Sequence, residues 1–191
     1  MGTLRATGFC ALLTAVLATS AFAQKAQTRE GFWIGFGAGA GSLGFGGDAT
    51  TDERQTGLSG NFRLGATVSP HFLIGAETNG WTDETAGITT TAGVFSAMGY
   101  YYPMVQSGLY LKGGLGFLAV SDNADINQGK AAGMAAQFGL GYDFRVGRNF
   151  SLTPYANYIA STGAELKLDG SPSGVDINPN IFQMGLGVTW H

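Results

Sequence analysis

The chain has 191 residues and a formal net charge of −3, and only 12% of its residues are charged, against about 25% in soluble domains. Its 32 glycines alternate with apolar residues, which argues against both collagen and a flexible linker. The sequence contains no basic run, so nucleic acid is not expected as a partner.

The first 23 residues predict a secretory signal peptide. Arg5 precedes the apolar core Phe9–Ala18, and Ala21–Ala23 forms a small-residue cleavage site. The alternative is a retained membrane helix. Such a helix needs about 20 apolar residues, and the apolar core Phe9–Ala18 is too short for it. The domain prediction is therefore a signal peptide over 1–23 and one β-barrel domain over 24–191. The single cysteine, Cys10, falls in the signal, so the mature chain has no disulfide or cysteine metal site.

Eight stretches of the remaining chain alternate with a period of two, which predicts strands. In chain order they are Gly31–Phe45, Leu58–Ser69, Phe72–Thr82, Ile88–Tyr102, Leu109–Val120, Ala132–Val146, Phe150–Ala160 and Asn180–His191. Pro154 cannot donate a ladder hydrogen bond, so a bulge is expected there.

The predicted connections alternate between long and short. The long ones are Gly46–Gly57, Asp83–Gly87, Ser121–Ala131 and Ser161–Pro179; the short ones are Ser69–His71, Pro103–Gly108 and Gly147–Asn149. Turn residues at Gly170–Gly174 predict a protruding hairpin between the last two strands. Short turns on one side and long loops on the other are typical of outer-membrane barrels.

Alternation alone also fits a soluble barrel with its apolar face inward. The other face of the strands distinguishes a membrane barrel from a soluble one. It carries mostly small residues and few charges, whereas a water-facing exterior carries many charges. The apolar face is therefore predicted to contact lipid and to carry aromatic girdles, with Tyr100, Tyr102 and the rest of their face of strand four pointing outward. The lumen is expected to hold small residues and one network of paired charges: Arg63, Glu77, Lys112, Asp143 and Arg145.

These features resemble the small eight-stranded outer-membrane β-barrel family, which includes OmpX and the transmembrane domain of OmpA. The fold class is thus an all-β, eight-stranded antiparallel up-and-down transmembrane barrel. The most specific part is the last strand, whose apolar residues end in an aromatic, with His191 added after it: Phe182, Met184, Leu186, Val188 and Trp190. The resemblance implies that the barrel-assembly machinery binds this segment during biogenesis, and that the chain resides in the outer membrane of a Gram-negative cell.

No motif predicts catalysis or a cofactor. Neither His71 nor His191 has a serine or carboxylate at a recognisable spacing, and the glycines of Gly35–Gly39 lie within a strand, where a nucleotide loop does not form. The interior charges predict a structural plug or, as the alternative, a gated narrow pore.

The predicted outer loops hold ten acids: Asp48, Asp52, Glu53, Asp83, Glu84, Asp122, Asp125, Glu165, Asp169 and Asp176. These acids are expected to keep the loops solvated, and the sharper alternative is cation-bridged contact with lipopolysaccharide. The outer-membrane lipid is the expected surrounding partner. A surface-interaction role with an unidentified ligand, a narrow channel and, more remotely, a lipid-modifying enzyme are the candidate functions.

Overall fold

The computed structural model describes residues 29–47, 54–85, 87–123, 129–168 and 171–191. The signal-peptide prediction lies outside these residues. Ten strands form in the described ranges: β1 (Phe32–Gly47), β2 (Gln55–Ser69), β3 (Phe72–Thr85), β4 (Ile88–Tyr101), β5 (Leu109–Asp122), β6 (Gly129–Tyr142), β7 (Phe144–Arg145), β8 (Phe150–Thr162), β9 (Ala164–Leu168) and β10 (Ser171–Trp190). No helix in these ranges is long and apolar enough to cross a membrane.

The ten strands occupy eight positions in one closed antiparallel barrel. The two-residue β7 pairs with β8 as a continuation of β6, and β9 pairs with β6 and β10 as a continuation of β8. The barrel closes between its first and last strands, where Ile34 is opposite Trp190 and Gly39 is opposite Gly185. The predicted eight-stranded up-and-down barrel is confirmed.

The outward face carries an apolar belt. On β5 the belt runs from Leu109 to Phe117, and on β10 from Phe182 to Trp190. Both segments have the length of about nine to eleven residues with which a tilted strand crosses a bilayer. The belt reaches the end of the barrel where β1 starts and β10 stops, which we call the terminus-side end. At the opposite, loop-side end the strands continue beyond the belt.

The prediction for strand four was inverted. Ala92, Val94, Met98, Tyr100 and Tyr102 are buried inside the barrel, whereas Phe95 is 61% exposed on the outward face. Both faces of this strand are apolar, so alternation did not reveal which one faced lipid. The register decides, because Phe95 is directly opposite Phe117, a lipid-facing residue of β5. Tyr100 and Tyr102 therefore belong to the interior and not to a girdle.

The lumen is filled by larger side chains than predicted. Its terminus-side cluster contains Trp33, Leu73, Met98, Tyr100, Tyr102 and Tyr110. Its loop-side cluster contains Leu43, Trp81, Ala92, Val94, Leu118, Val120, Ala135, Ile159 and Ile181. Between them lies a polar layer of buried side chains: Glu77, Asn79, Ser96, Lys112, Gln137, Asn157 and Gln183. An eight-stranded barrel is just wide enough for side chains to fill, and here the glycines beside them make that room.

Several predicted boundaries were wrong because the strands run further than the alternation shows. β3 ends at Thr85 and β4 begins at Ile88, so the expected long loop is two residues, while the connection 102–108 at the other end is longer. Connection length therefore does not distinguish the two ends of the barrel. Strand six is interrupted at Asp143, which lies between β6 and β7.

Two expected irregularities also differ. Pro154 is paired with Leu186 without a register shift, so the predicted bulge is absent from that pairing. The β9–β10 hairpin forms as predicted, but β10 already begins at Ser171, within the expected turn. The register shift lies between Pro172 and Asp176, where Gly174 has a φ of 71° that favours glycine.

Candidate functional site

The centre of the barrel interior is the carboxylate of Glu77. Lys112 Nζ lies 2.6 Å from Glu77 Oε1 and 2.7 Å from Oε2. The Tyr100 hydroxyl donates to Oε2 at 2.6 Å, and Gln137 Nε2 donates to Oε1 at 2.8 Å. Gln137 in turn accepts a bond from Asn79 Nδ2 at 3.1 Å. Four neighbouring strands, β3 to β6, thus meet on one buried acid.

A second cluster lies towards the terminus-side end around Arg63. Its guanidinium donates to the Tyr110 hydroxyl and to Thr189 Oγ1, both at 2.6 Å. Thr189 Oγ1 lies 2.9 Å from Thr153 Oγ1, which donates to Asp143 Oδ1 at 2.6 Å. The rings of Tyr100 and Tyr110, with centroids 5.9 Å apart, stand between the two clusters.

The five predicted interior charges are therefore placed unequally. Glu77 and Lys112 form an ion pair, while Arg63 and Asp143 are joined through two threonines. Arg145 lies beyond Asp143 in β7, half-buried and opposite Ser151. The described contacts among these side chains include an ion pair and a chain of hydrogen bonds.

Sequence reasoning missed several members of this site. Tyr110, Gln137, Thr153 and Thr189 occupy inward positions of their strands, so the period-two pattern could have identified them. Tyr100 was missed because its strand was assigned the wrong face. His191 was treated as an isolated terminal residue, yet its Nε2 lies 3.5 Å from Asp143 Oδ2, with both side chains buried.

The terminus-side end is covered by Arg29, which precedes β1. Its guanidinium carbon lies 3.6 Å from the centroid of the Tyr102 ring, and its nitrogens donate to the carbonyls of Val105 and Ser107. Burial lowers the pKa of Arg29, and the neighbouring Tyr102 and Asp143 act in the opposite direction. This arginine fixes the 102–108 connection across the barrel end.

The interior has the chemistry of a packed core. Glu77, Ser96, Tyr110, Leu118, Gln137 and Ile159 are each at most 1% exposed. These lumen-facing side chains are therefore closed off from bulk water in both apolar clusters and in the polar layer. Among the described residues, no three acidic, histidine or cysteine side chains come together as a metal site.

A family model described as "Outer membrane protein beta-barrel domain" matches residues 9–189. The chain belongs to the outer-membrane β-barrel family. That membership and the lipid-facing belt place it in the outer membrane. No sequence among curated proteins matches it.

Solved structures share the fold at low sequence identity. Neisserial surface protein A has a TM-score of 0.64 at 14% identity, covering 86% of this chain and 99% of its own. The N-terminal β-barrel domain of OprF from Pseudomonas aeruginosa has a TM-score of 0.51 at 11% identity, covering 85% and 98%. The attachment invasion locus protein Ail of Yersinia pestis has a TM-score of 0.50 at 16% identity, covering 84% and 99%. At these identities the likeness concerns the fold alone.

Proposed function

We propose that this protein is a closed outer-membrane barrel that acts through its loop-side end as a surface-interaction protein. The observation that carries the proposal is the filled lumen, in which two apolar clusters enclose a buried polar layer. Polar solutes need a continuous water-filled path through a barrel. The buried side chains in this lumen leave no such path.

The loop-side end is the part of the barrel available for such contacts. β10 has 20 residues, about twice the number that crosses a bilayer. The excess forms the hairpin with β9 and continues above the belt. The apolar loop-side cluster supports these projecting walls from within, as a hydrophobic core supports a soluble domain. Among barrels of this fold, the attachment invasion locus protein Ail carries an interaction role in its name.

The test is removal of the hairpin from the intact protein. A variant lacking residues 163–177, with a two-residue turn in their place, keeps Ala160 opposite Asn180 in the β8–β10 pairing. Cells that display wild type or this variant would be compared for adherence to immobilised heparin and extracellular-matrix proteins. We expect adherence to fall in the variant at equal surface abundance. Adherence of wild-type cells no higher than that of cells without the protein would overturn the proposal.

The alternative function is a narrow channel gated by the interior charges. The observation that favours it is the Lys112–Glu77 pair, which lies in the middle of the lumen and has polar neighbours. Planar-bilayer conductance and liposome swelling would be measured for wild type and Glu77→Ala. Background values for both proteins would support the closed barrel, whereas conductance of wild type would establish the channel.

Export is part of the proposal. A cleaved signal over residues 1–23 would deliver the chain to the assembly machinery, which would recognise the last strand. N-terminal sequencing of protein from isolated outer membranes tests the cleavage: a mature chain starting at Gln24 is expected. A lipid-modifying activity is the remotest reading, since the histidine–carboxylate contact found among the described residues, His191 with Asp143, is buried at the terminus-side end.

A further inference from the structure

Three rows of outward side chains follow one another on β4, β5 and β6 where the apolar belt ends. The first row is large and apolar: Phe95, Phe117 and Met134. The second row is small: Gly93, Ala119 and Ala132. The third is polar, with Thr91, Ser121 and Lys130. Two adjoining depressions in the wall share Ala119, Ala132 and Gly163; together we call them the outer groove.

Two lysines stand at the loop-side end of the outer groove. Lys130 of β6 and Lys167 of β9 are directly opposite each other in the pairing of their strands, both are exposed, and both line the groove. Like charges directly opposite one another on neighbouring strands are destabilising. Among the described side chains, no carboxylate lies within 4.0 Å of either ammonium group. The pair is thus arranged to share one external anion.

The height of the lysines is that of lipid headgroups. Lys130 is four residues beyond Met134, the last belt residue of β6, which is about 13 Å along the strand and about 10 Å along the axis of a tilted barrel. The polar headgroup region extends about 5–8 Å beyond the hydrocarbon on each side. The lysine backbone thus lies slightly above the headgroup region. The aliphatic part of a lysine side chain can extend back over this difference in height, so that its ammonium group lies among the headgroups.

The small second row gives the groove its shape. Gly93, Ala119 and Ala132 have little or no side chain, so the wall recedes between the large apolar first row and the lysines. A depression that is apolar at one end and cationic at the other matches a molecule with an acyl chain and an anionic head. A free phosphate would use the lysines and leave the apolar part uncovered.

We infer that the outer groove binds one phosphorylated, multiply acylated glycolipid of the outer leaflet. A phosphate lies between Lys130 and Lys167, and an acyl chain runs over Ala119 and Ala132 towards Phe117 and Met134. This inference rests on the orientation in the proposed function, with the loop-side end outside the cell. It differs from cation bridging by loop acids, because the phosphate contacts lysines directly and needs no divalent ion.

The test uses the intact folded barrel in phosphatidylcholine nanodiscs that contain a small share of bisphosphorylated lipid A. Native mass spectrometry, in the presence of a chelator, counts the lipid A molecules retained by the released protein. We expect wild type to retain one lipid A and Lys130→Gln/Lys167→Gln to bind it about tenfold or more weakly, from two lost lysine–headgroup contacts. Lipid A without phosphates should be retained as poorly by wild type as lipid A is by the double variant.

Matched controls separate this site from general charge and surface effects. Arg54→Gln/Arg148→Gln removes two cations elsewhere and should retain lipid A as wild type does. Ala132→Phe fills the groove with both lysines in place and should lose the lipid, whereas Ala136→Phe, on the same face of β6, should not. Folding of every variant is verified by its heat-modifiable gel migration.

The inference is overturned by equal retention in wild type and the double lysine variant, or by equal retention of phosphorylated and dephosphorylated lipid A. It is also overturned if inorganic phosphate saturates the lysines without displacement by lipid A. None of these readouts depends on adherence or conductance, so a failure here is distinguishable from a failure of the proposed function. The orientation of the barrel in the membrane is tested separately with a Thr85→Cys variant. Labelling of this cysteine on intact cells by a reagent that does not cross the membrane would show that the loop-side end is outside the cell.

Discussion

Lys112 and Glu77 form an ion pair across β4, although they lie on strands that are not neighbours in the sheet. The residue directly opposite Glu77 in the β2–β3 register is Arg63, which instead donates to Tyr110 and Thr189. Curvature of a narrow barrel brings inward side chains of more distant strands together. The carboxylate therefore joins strands across the lumen as well as along the wall.

Removing one partner of this pair should destabilise the barrel strongly. Lys112→Met leaves the Glu77 carboxylate buried without its cation, and such losses cost about 3–5 kcal/mol. Unfolding by urea in lipid vesicles measures the change, with Glu84→Gln at an exposed position as the control. The double variant Glu77→Gln/Lys112→Met should lose less than the sum of the two single variants. Additive losses would show that the two groups do not interact.

The closing seam should tolerate no side chain at Gly39. A Cβ there would collide with the backbone of Met184 and Gly185 on β10, so the two closing strands would have to separate. We expect Gly39→Ala to lower the free energy of unfolding by about 1–3 kcal/mol. Gly80→Ala is the matched control, because a Cβ at Gly80 meets no atom within 4 Å. Equal stability of the two variants would contradict the packing of this seam.

A charge on the apolar belt should destabilise the protein according to its depth. Phe138 is 60% exposed in the middle of the belt segment of β6, so Phe138→Arg should cost about 2–4 kcal/mol in a bilayer. Thr82→Arg, on the outward face beyond the belt, should cost about 0–1 kcal/mol. Unfolding titrations in phosphatidylcholine vesicles measure both values. A similar cost at the two positions would place the bilayer elsewhere on the barrel.

The last strand should affect assembly in cells more than folding in lipid. Phe182, Met184, Leu186, Val188 and Trp190 all lie on the outward face, where a recognition factor can contact them before insertion. We expect Phe182→Ala/Trp190→Ala to lower the folded fraction in outer membranes severalfold while refolding into vesicles stays near wild type. Leu111→Ala/Leu115→Ala, on the outward face of β5, is the control. Parallel losses in both assays would mean that the residues act through stability alone.

The fold was predictable because period-two alternation identifies the outward apolar face of every predicted strand except the fourth. Strand four was not, because Val94 and Phe95 are adjacent and both large, and only the register with β5 assigns them. The alternation also showed which charged residues lie on the inward face. Their partners were not, since the Lys112–Glu77 contact depends on the curvature of the closed sheet, and the contact of His191 with Asp143 depends on the barrel end.

The three tryptophans of the chain occupy three different surroundings. Trp33 packs edge-on against Tyr100 in the terminus-side cluster, Trp81 donates to the Gly41 carbonyl in the loop-side cluster, and Trp190 lies on the outward face. Intrinsic fluorescence can thus be resolved by position with single-tryptophan proteins. Brominated acyl chains should quench the emission of Trp190 and leave Trp33 and Trp81 bright. The three tryptophans can therefore report separate events during folding: Trp190 membrane insertion, Trp33 closure of the lumen, and Trp81 packing of the projecting walls.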